Sequence, residues 1–254
     1  MANPTFNAGI DYFGLETATS NALNVTESNE NRSKQSTSGA NTYGDAAVVD
    51  SWGETAAPSA NYTVVNSVTS ASFPDLGSVI ASMIDSKPVV LGGISISTQK
   101  GSAPTITASG QMVQTGATQL REYPLPTFSI SPRHRAQDIL GFASIKKGSA
   151  VADDTEDYGL ESVNVEFPIE FTLAQPKGEL KNYDLHGGMA TAAYTLNWYS
   201  STAPTIELSA AATSAGATMS EPVAKSCPEG GYTQYTFTIS LPMIGEEYSS
   251  GSGT

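Results

Sequence analysis

The chain of 254 residues carries 25 Asp and Glu against 12 Lys and Arg, which gives a formal net charge of −13 at pH 7. Phosphate backbones repel such a chain, so its charge argues against ordinary nucleic-acid binding. Charged residues make up only 15% of the chain and hydrophobic residues 39%, a composition typical of a polar β protein and not of a disordered tail.

The first 42 residues are polar and rich in turn-forming residues, and the stretch from Asn24 to Thr42 has almost no apolar residue besides Val25. We therefore predict an N-terminal arm or loop over residues 1–42 that becomes ordered only against another surface. Met1–Pro4 has neither the basic nor the apolar stretch of a signal peptide, so we expect the protein to be made in the cytoplasm without export by such a signal.

A first β unit is predicted over residues 43–148. Ala47–Val49 and Tyr62–Val65 have the composition of strands, and the Gly, Pro and Ser residues of 53–61 predict a turn between them. Further strands are expected near Ile94–Ile96, Thr105–Thr107, Gln111–Gln114 and Leu125–Ile130.

Two short helices are predicted in this unit. Over residues 76–85 apolar side chains recur at helical spacing, and Asp75 is a suitable N-cap. Over residues 132–142 the helix would begin at Pro132 after an N-cap at Ser131. The sequence thus predicts a β unit flanked by helices.

A second β unit is predicted over residues 149–244, followed by a flexible tail over 245–254. Its clearest strand runs from Val163 to Leu173, where apolar and polar residues alternate without interruption. Pro168 lies on the polar side of that strand, which predicts an edge strand or a bulge. Further strands are expected at 192–199, 205–208 and 232–241.

A short match suggests an internal repeat. Lys100–Ile106 resembles Ser200–Ile206, and Pro126–Ile130 resembles Tyr235–Ile239. A repeat of this size predicts two similar β units in one chain. Because Ala-Pro-Thr-Ile is short and the composition is biased, coincidence is the alternative.

No pattern predicts catalysis. His134 and His186, the only histidines, are expected to be a solvated helix residue and a turn residue before two glycines. Cys227, the only cysteine, excludes an intrachain disulfide and has no histidine near it in sequence. The sequence contains no nucleophile elbow, phosphate-binding loop or zinc-protease motif, so we expect no enzyme activity, catalytic residue or cofactor.

Acidic residues leave two other kinds of site to consider. Asp153–Asp157 supplies oxygen ligands for Ca²⁺ but lacks the spacing of a calcium loop, which favours a solvated turn and no metal site. Glu166 and Glu170 would be the carboxylates to test in a glycosidase. Trp52 and Trp198 stand at similar places in the two predicted units, which favours core packing over a sugar-stacking cleft.

The overall pattern resembles the tail tube family of tailed-bacteriophage virion proteins. The resemblance rests on the Met-Ala-Asn-Pro start, the long polar arm, the Ser/Thr/Ala-rich strands, the pair of short helices and the acidic charge, across roughly residues 40–245. It implies a β-sandwich with a flanking helix, stacked as rings whose inner sheets join into a barrel.

We therefore expect an all-β, sandwich- or barrel-like fold, with duplication of one unit as an open interpretation. The expected function is self-assembly into virion rings or a tube with an acidic bore for DNA, in contact with other virion proteins and with no membrane or specific nucleic-acid partner. The alternatives are a capsid decoration protein, a head–tail connector and a glycan-binding surface adhesin.

Overall fold

The computed structural model describes residues 10–19, 21–40, 46–69, 73–81, 88–112, 121–125, 129–130, 145–147, 160–174, 184–200, 203, 206–208, 210–226 and 233–244. Two short helices lie in these residues, α1 (Leu15–Ala18) and α2 (Ala210–Ser214). The strands of the described residues are β1 (Leu23–Ala40), β2 (Ala46–Val64), β3 (Val68–Thr69), β4 (Val79–Ala81), β5 (Pro88–Gln99), β6 (Thr105–Met112), β7 (Ser129–Ile130), β8 (Ile145–Lys147), β9 (Leu160–Ala174), β10 (Asp184–Ser200), β11 (Ile206–Leu208), β12 (Thr218–Met219), β13 (Val223–Ser226) and β14 (Thr233–Pro242).

Ten of these strands form one antiparallel sheet, which confirms the predicted all-β class. Its order is β1-β2-β6-β5-β9-β10-β14-β12, with β13 also paired to β14 and β4 paired to β5. Two small sheets, β8–β11 and β3–β7, lie apart from it. The large sheet is open: within the described residues, β1 has no partner on its outer side, and neither do β12 and β13 at the opposite edge.

Alternation of apolar and polar residues gives the sheet one buried and one polar face. In β5, Ile94 and Ile96 are buried, whereas Ser95 is half-buried and Ser97 exposed. The strand predicted at 163–173 is present as β9 and follows the same rule over residues 163–170. Successive side chains of a strand project to opposite faces, and burying an aliphatic or aromatic side chain stabilises the fold by about 1.5–3 kcal/mol.

Segments outside the strands cover the apolar face. Tyr12, Phe13 and Leu15 belong to the same buried cluster as the strand residues. A Cβ added at Gly110 of β6 would lie 2.9 Å from the Phe13 ring, so this position has room for no side chain. Leu76, which is fully buried, joins Tyr123 through an isolated bridge. On the polar face, the described side chains of the central strands are half-buried or exposed, apart from buried Thr236.

The prediction of an unpaired arm is wrong for residues 23–40, which form β1. This strand pairs with β2 from Leu23, opposite Val64, to Ala40, opposite Ala46. Backbone hydrogen bonds hold an antiparallel pair whatever its side chains, so a strand can be polar throughout when a second backbone lies beside it. Residues 1–9 and 41–42 of the predicted arm lie outside the described residues.

The hairpin β1–β2 extends beyond the rest of the sheet. β2 pairs with β6 only over residues 59–63, while its pairing with β1 continues back to Ala46. The turn predicted at 53–61 is therefore wrong, because these residues lie inside β2. A two-stranded hairpin is only marginally stable alone, which makes this projection a natural contact for another surface.

The helix predicted at 76–85 is wrong over its described part. Gly77 has a φ of +84° and donates its N–H to Leu91 O at 2.8 Å, which turns the chain towards β5. Val79–Ala81 then pairs with Pro88–Val90 as β4. The β-branched Val79 and Ile80 suit a strand, so pairing with β5 overrides the helical spacing. The second predicted helix, 132–142, lies outside the described residues, as does the tail 245–254.

The large sheet repeats one four-strand pattern. In the first unit, β1 and β2 form a hairpin, β5 and β6 follow, and β6 inserts between β2 and β5. In the second unit, β9 and β10 form a hairpin, β12 and β13 follow as two halves of one interrupted strand, and β14 inserts between β10 and them. Pairing of β5 with β9 joins the units into one sheet.

Bulges at matching positions make the repeat specific. The bulged residue is Thr26 in the first unit and Glu161 in the second. The pairs that flank the bulges are Val25–Tyr62 and Glu27–Asn61 in the first unit, and Leu160–Trp198 and Ser162–Asn197 in the second. Asn61–Tyr62 and Asn197–Trp198 are therefore equivalent dipeptides.

The repeat predicted from the sequence joined the wrong segments. Lys100–Ile106 connects the third strand of its unit, β5, to the fourth, β6. Ser200 instead ends β10, a second strand, and Ile206 begins β11, which pairs with β8 outside the large sheet. Their similarity is therefore not structural equivalence.

Two local predictions for the second unit also change. β9 lies between β5 and β10, so Pro168 is not on an edge strand; it stands where the β5–β9 pairing ends, near a bulge in β10. His186 lies in β10 opposite Thr172 and not in a turn.

Candidate assembly surface

The polar face carries a continuous row of side chains across eight strands. The row consists of Glu27, Asn61, Thr107, Ser95, Glu166, Ala193, Ser240 and Thr218, each opposite the next on the neighbouring strand. Each is half-buried or exposed. The two charged members of the row are both acidic, so this face presents hydroxyls, amides and negative charge.

Two hydrogen-bonded side-chain ladders brace this face. In the first ladder, Thr107 Oγ1 donates to Asn61 Oδ1 at 2.7 Å, and Asn61 Nδ2 donates to Glu27 Oε2 at 3.1 Å. The first ladder thus links the fourth, second and first strands of the first unit.

The second ladder repeats this arrangement at the equivalent positions. Thr236 Oγ1 donates to Asn197 Oδ1 at 2.8 Å, and Asn197 Nδ2 donates to Ser162 Oγ at 2.9 Å. Thr236 is buried, unlike its equivalent Thr107, and a buried hydroxyl is costly without a partner. The ladders extend the equivalence of the two units from topology to side chains.

The buried carboxylate of Asp11 attaches helix α1, which lies on the apolar face, to strand β2 of the first unit. Asp11 Oδ1 accepts from the Leu15 N–H at 3.1 Å and from the Tyr62 hydroxyl at 2.7 Å, and Oδ2 accepts from the Glu16 N–H at 2.9 Å. Asp11 therefore caps α1 and holds it on β2. Burial first, and the bond to Asp11 second, raise the pKa of Tyr62 far above its usual value of 10.0, which keeps the hydroxyl a donor.

The second unit buries a tyrosine without such a carboxylate. Tyr194 of β10 is fully buried and contacts Phe167 edge to face, with ring centroids 6.4 Å apart. Its hydroxyl has no hydrogen-bond partner among the described residues. Burial alone raises the pKa of Tyr194.

The edge formed by β12 and β13 exposes apolar side chains. Met219 is 36% exposed and Val223 57% exposed. Between the two short strands the chain stays attached to β14, because the Ser220 N–H donates to Thr238 O at 2.9 Å and Ser220 Oγ accepts from the Thr238 N–H at 3.0 Å. Exposed backbone groups and apolar side chains together make this edge a template for pairing.

The junction between the units carries a definite stagger. The second ladder begins on β9 at Ser162. The row that contains the first ladder reaches β9 at Glu166, four residues further along the strand. One four-strand unit thus adds four residues of stagger. This stagger averages one residue per strand. With about 3.3 Å per residue and about 4.8 Å between strands, it corresponds to a strand tilt of about 35°, within the range of closed barrels.

The predicted site residues are dispersed over the sheet. Glu166 and Glu170 are exposed on the polar face of β9. Trp198 is buried in the core, as predicted, but its equivalent is Tyr62 and not Trp52, which lies in β2. Three further candidates lie outside the described residues: His134, Cys227 and Asp153–Asp157.

The described residues offer neither a metal-binding cluster nor a membrane-spanning helix. They contain no group of three or more His, Cys, Asp or Glu side chains arranged to hold a metal ion. None of their helices has the length and apolar character needed to cross a membrane.

Neither the protein-family models nor the curated proteins include a match to this sequence. The ladder residues Asn61 and Asn197 were missed by the sequence analysis. Their signal is an asparagine directly before an aromatic residue in a strand, which is visible only once the two strands are known to be equivalent.

Proposed function

We propose that this chain is a structural virion protein of a tailed bacteriophage, which assembles with copies of itself into rings or a tube. The observation that carries the proposal is the repeated four-strand unit with its barrel-like stagger. We expect each contact between copies to repeat the stagger of the β5–β9 junction, so that a sheet with two unpaired edges closes by adding further copies, and closure removes the edges.

The two faces of the sheet support one orientation in such a ring. Residues 10–19 and 73–76 cover the apolar face, whereas the polar face is open in the described part of the chain. The open face then lines the bore. Its charged residues Glu27, Glu166 and Glu170 are acidic, and an acidic bore repels DNA and lets it pass without sticking.

The projecting part of the β1–β2 hairpin suits contacts between stacked rings. It extends beyond the β2–β6 pairing, and a two-stranded hairpin gains stability when it packs on another surface. The assembly is therefore expected to grow along the ring axis as well as around it.

Negative-stain microscopy of the purified protein, with light scattering over a concentration series, tests this function. Rings or tubes are expected, with a scattering mass that rises as the protein is concentrated. A variant, Ala60→Pro, removes a backbone N–H that faces β6 inside the β2–β6 ladder and checks that particles depend on the folded sheet. A monomer at every concentration would contradict self-assembly.

A further inference from the structure

We propose that β12 and β13 of one copy pair with β1 of a second copy, in the register that β5 and β9 use inside the chain. The proposal rests on the proposed self-assembly and specifies the surface that performs it. The partner is therefore a second copy of this chain, joined head to tail.

Because the two units are equivalent, the β5–β9 pairing inside the chain is a template for the pairing between copies. β5 is the third strand of the first unit, and it pairs with β9, the first strand of the second unit. The next third strand is formed by β12 and β13, and the next first strand is β1 of another copy. Both strands are unpaired on their outer sides in the described residues.

Exposure at equivalent positions points to the same contact. Leu91 of β5 lies opposite Gly110, and its equivalent, Met219, lies opposite Ile239 on β14. Leu91 is 0% exposed, whereas Met219 is 36% exposed. Gly77 and Ser78 of the same unit bond to the outer side of Leu91, whereas no described strand pairs with the outer side of β12. This free edge is where we place the second copy.

The register follows from the ladders. Ser95 lies opposite Glu166, and Ser95 is equivalent to Val223 because each lies opposite the ladder threonine of its unit. Glu166 stands four residues after Ser162, just as Asn31 stands four residues after Glu27. Val223 of one copy is therefore placed opposite Asn31 of the next.

The contact between copies is more polar than the internal junction. Inside the chain, Ile96 lies opposite Val165, and both are buried. The corresponding pair between copies is Ala224 opposite Glu30. Glu30 is half-buried and paired with Arg32. We therefore expect copies to associate reversibly, whereas the two units of one chain stay joined.

Disulfide trapping tests the register. In a Cys227→Ser background, Val223→Cys combined with Asn31→Cys should give covalent dimers and larger species after oxidation with diamide. Directly opposite residues have Cα atoms about 4.5–5.5 Å apart, which a disulfide can span. The matched control, Val223→Cys with Asn29→Cys, shifts one cysteine by two residues on the same face and should cross-link at least tenfold less.

An internal control uses the template itself. Ser95→Cys with Glu166→Cys should close within one chain and leave the mass of the monomer unchanged. If particles form but the Asn29 pair bridges as well as the Asn31 pair, or neither pair bridges, the proposed contact is wrong while self-assembly stands. If no particles form and nothing bridges between copies, both proposals are wrong.

Discussion

The two four-strand units share a topology, a bulge and a side-chain ladder, but they differ in what surrounds them. The first unit has a long polar hairpin and carries α1 on Asp11. The second unit has a shorter last edge, interrupted around Glu221 and Pro222, and exposes apolar side chains there. The shared parts are those that build a continuous sheet, and the differing parts are the free ends. The interior of the sheet is therefore the part that the two units share, whereas each unit has its own free edge.

Removing the equivalent core aromatics should have the largest effect. Tyr62→Ala and Trp198→Ala each delete a buried ring, and each should lower the free energy of unfolding by about 3–5 kcal/mol. Urea unfolding followed by circular dichroism, at a concentration where the protein is monomeric, measures the loss. Thr105→Ala, at an exposed position, is the control and should change stability by less than about 0.5 kcal/mol.

Because β5–β9 pairing joins the units, either substitution should shift one common transition. Two separate unfolding transitions, with only one displaced by each substitution, would show that the units fold independently and would contradict a single continuous sheet.

Removing the two buried tyrosine hydroxyls should affect stability differently in the two units, with a loss in the first and no loss in the second. Tyr62→Phe takes a donor from buried Asp11 and should cost about 1–2 kcal/mol of stability. Tyr194→Phe removes a hydroxyl that has no partner among the described residues, so it should be neutral or stabilise by up to about 1 kcal/mol. Equal losses in the two variants would contradict the difference in their surroundings.

The same tyrosines make stability fall at alkaline pH. Their pKa values are raised in the folded protein, so their contribution is fully present below pH about 10. Above that value the unfolded state loses protons that the folded state keeps. Each tyrosine should then lower the free energy of unfolding by about 1.4 kcal/mol per pH unit. Each Phe variant should show a shallower slope, and an unchanged slope would contradict the assignment.

Cutting the two ladders should have much smaller effects than removing the core aromatics, and it compares equivalent residues of the two units directly. Asn197→Ala leaves buried Thr236 without its acceptor and should cost about 1–2 kcal/mol. Asn61→Ala affects the more exposed Thr107 and Glu27 and should cost about 0.5–1 kcal/mol. Chemical denaturation of both variants beside wild type measures the difference. A larger loss at Asn61 would show that burial does not set the strength of the ladders.

The sequence predicted the strands in which apolar and polar residues alternate, because burial of one face of a sheet gives a two-residue repeat of apolar side chains. β9 is the clearest case, and β14 was placed within one residue at each end. β10 begins at Asp184, well before the predicted start at 192. β1 was missed because backbone hydrogen bonds hold it to β2, and its polar side chains leave no alternating apolar pattern in the sequence. The spacing of apolar residues at 76–85 is compatible with a helix, but pairing of Val79–Ala81 with β5 decides the outcome.

The assembly surface was less accessible to the sequence analysis than the fold. Its components depend on register: Asn61 meets Thr107 and Glu27 only because three strands are aligned to the residue. The true repeat is hidden because equivalent core positions hold different residues, Tyr62 and Trp198, and because loops of different length separate the strands. The acidic polar face was anticipated as net charge and as an acidic bore, but without the residues that form it.

Cryo-electron microscopy of the wild-type assembly, at a resolution that separates strands, tests the central claim most directly. We expect one continuous sheet across each contact between copies, with β12 and β13 beside β1 of the neighbour, strands tilted by about 35°, and the polar face towards the bore. Copies that meet through the covered face, with both sheet edges left unpaired, would contradict it.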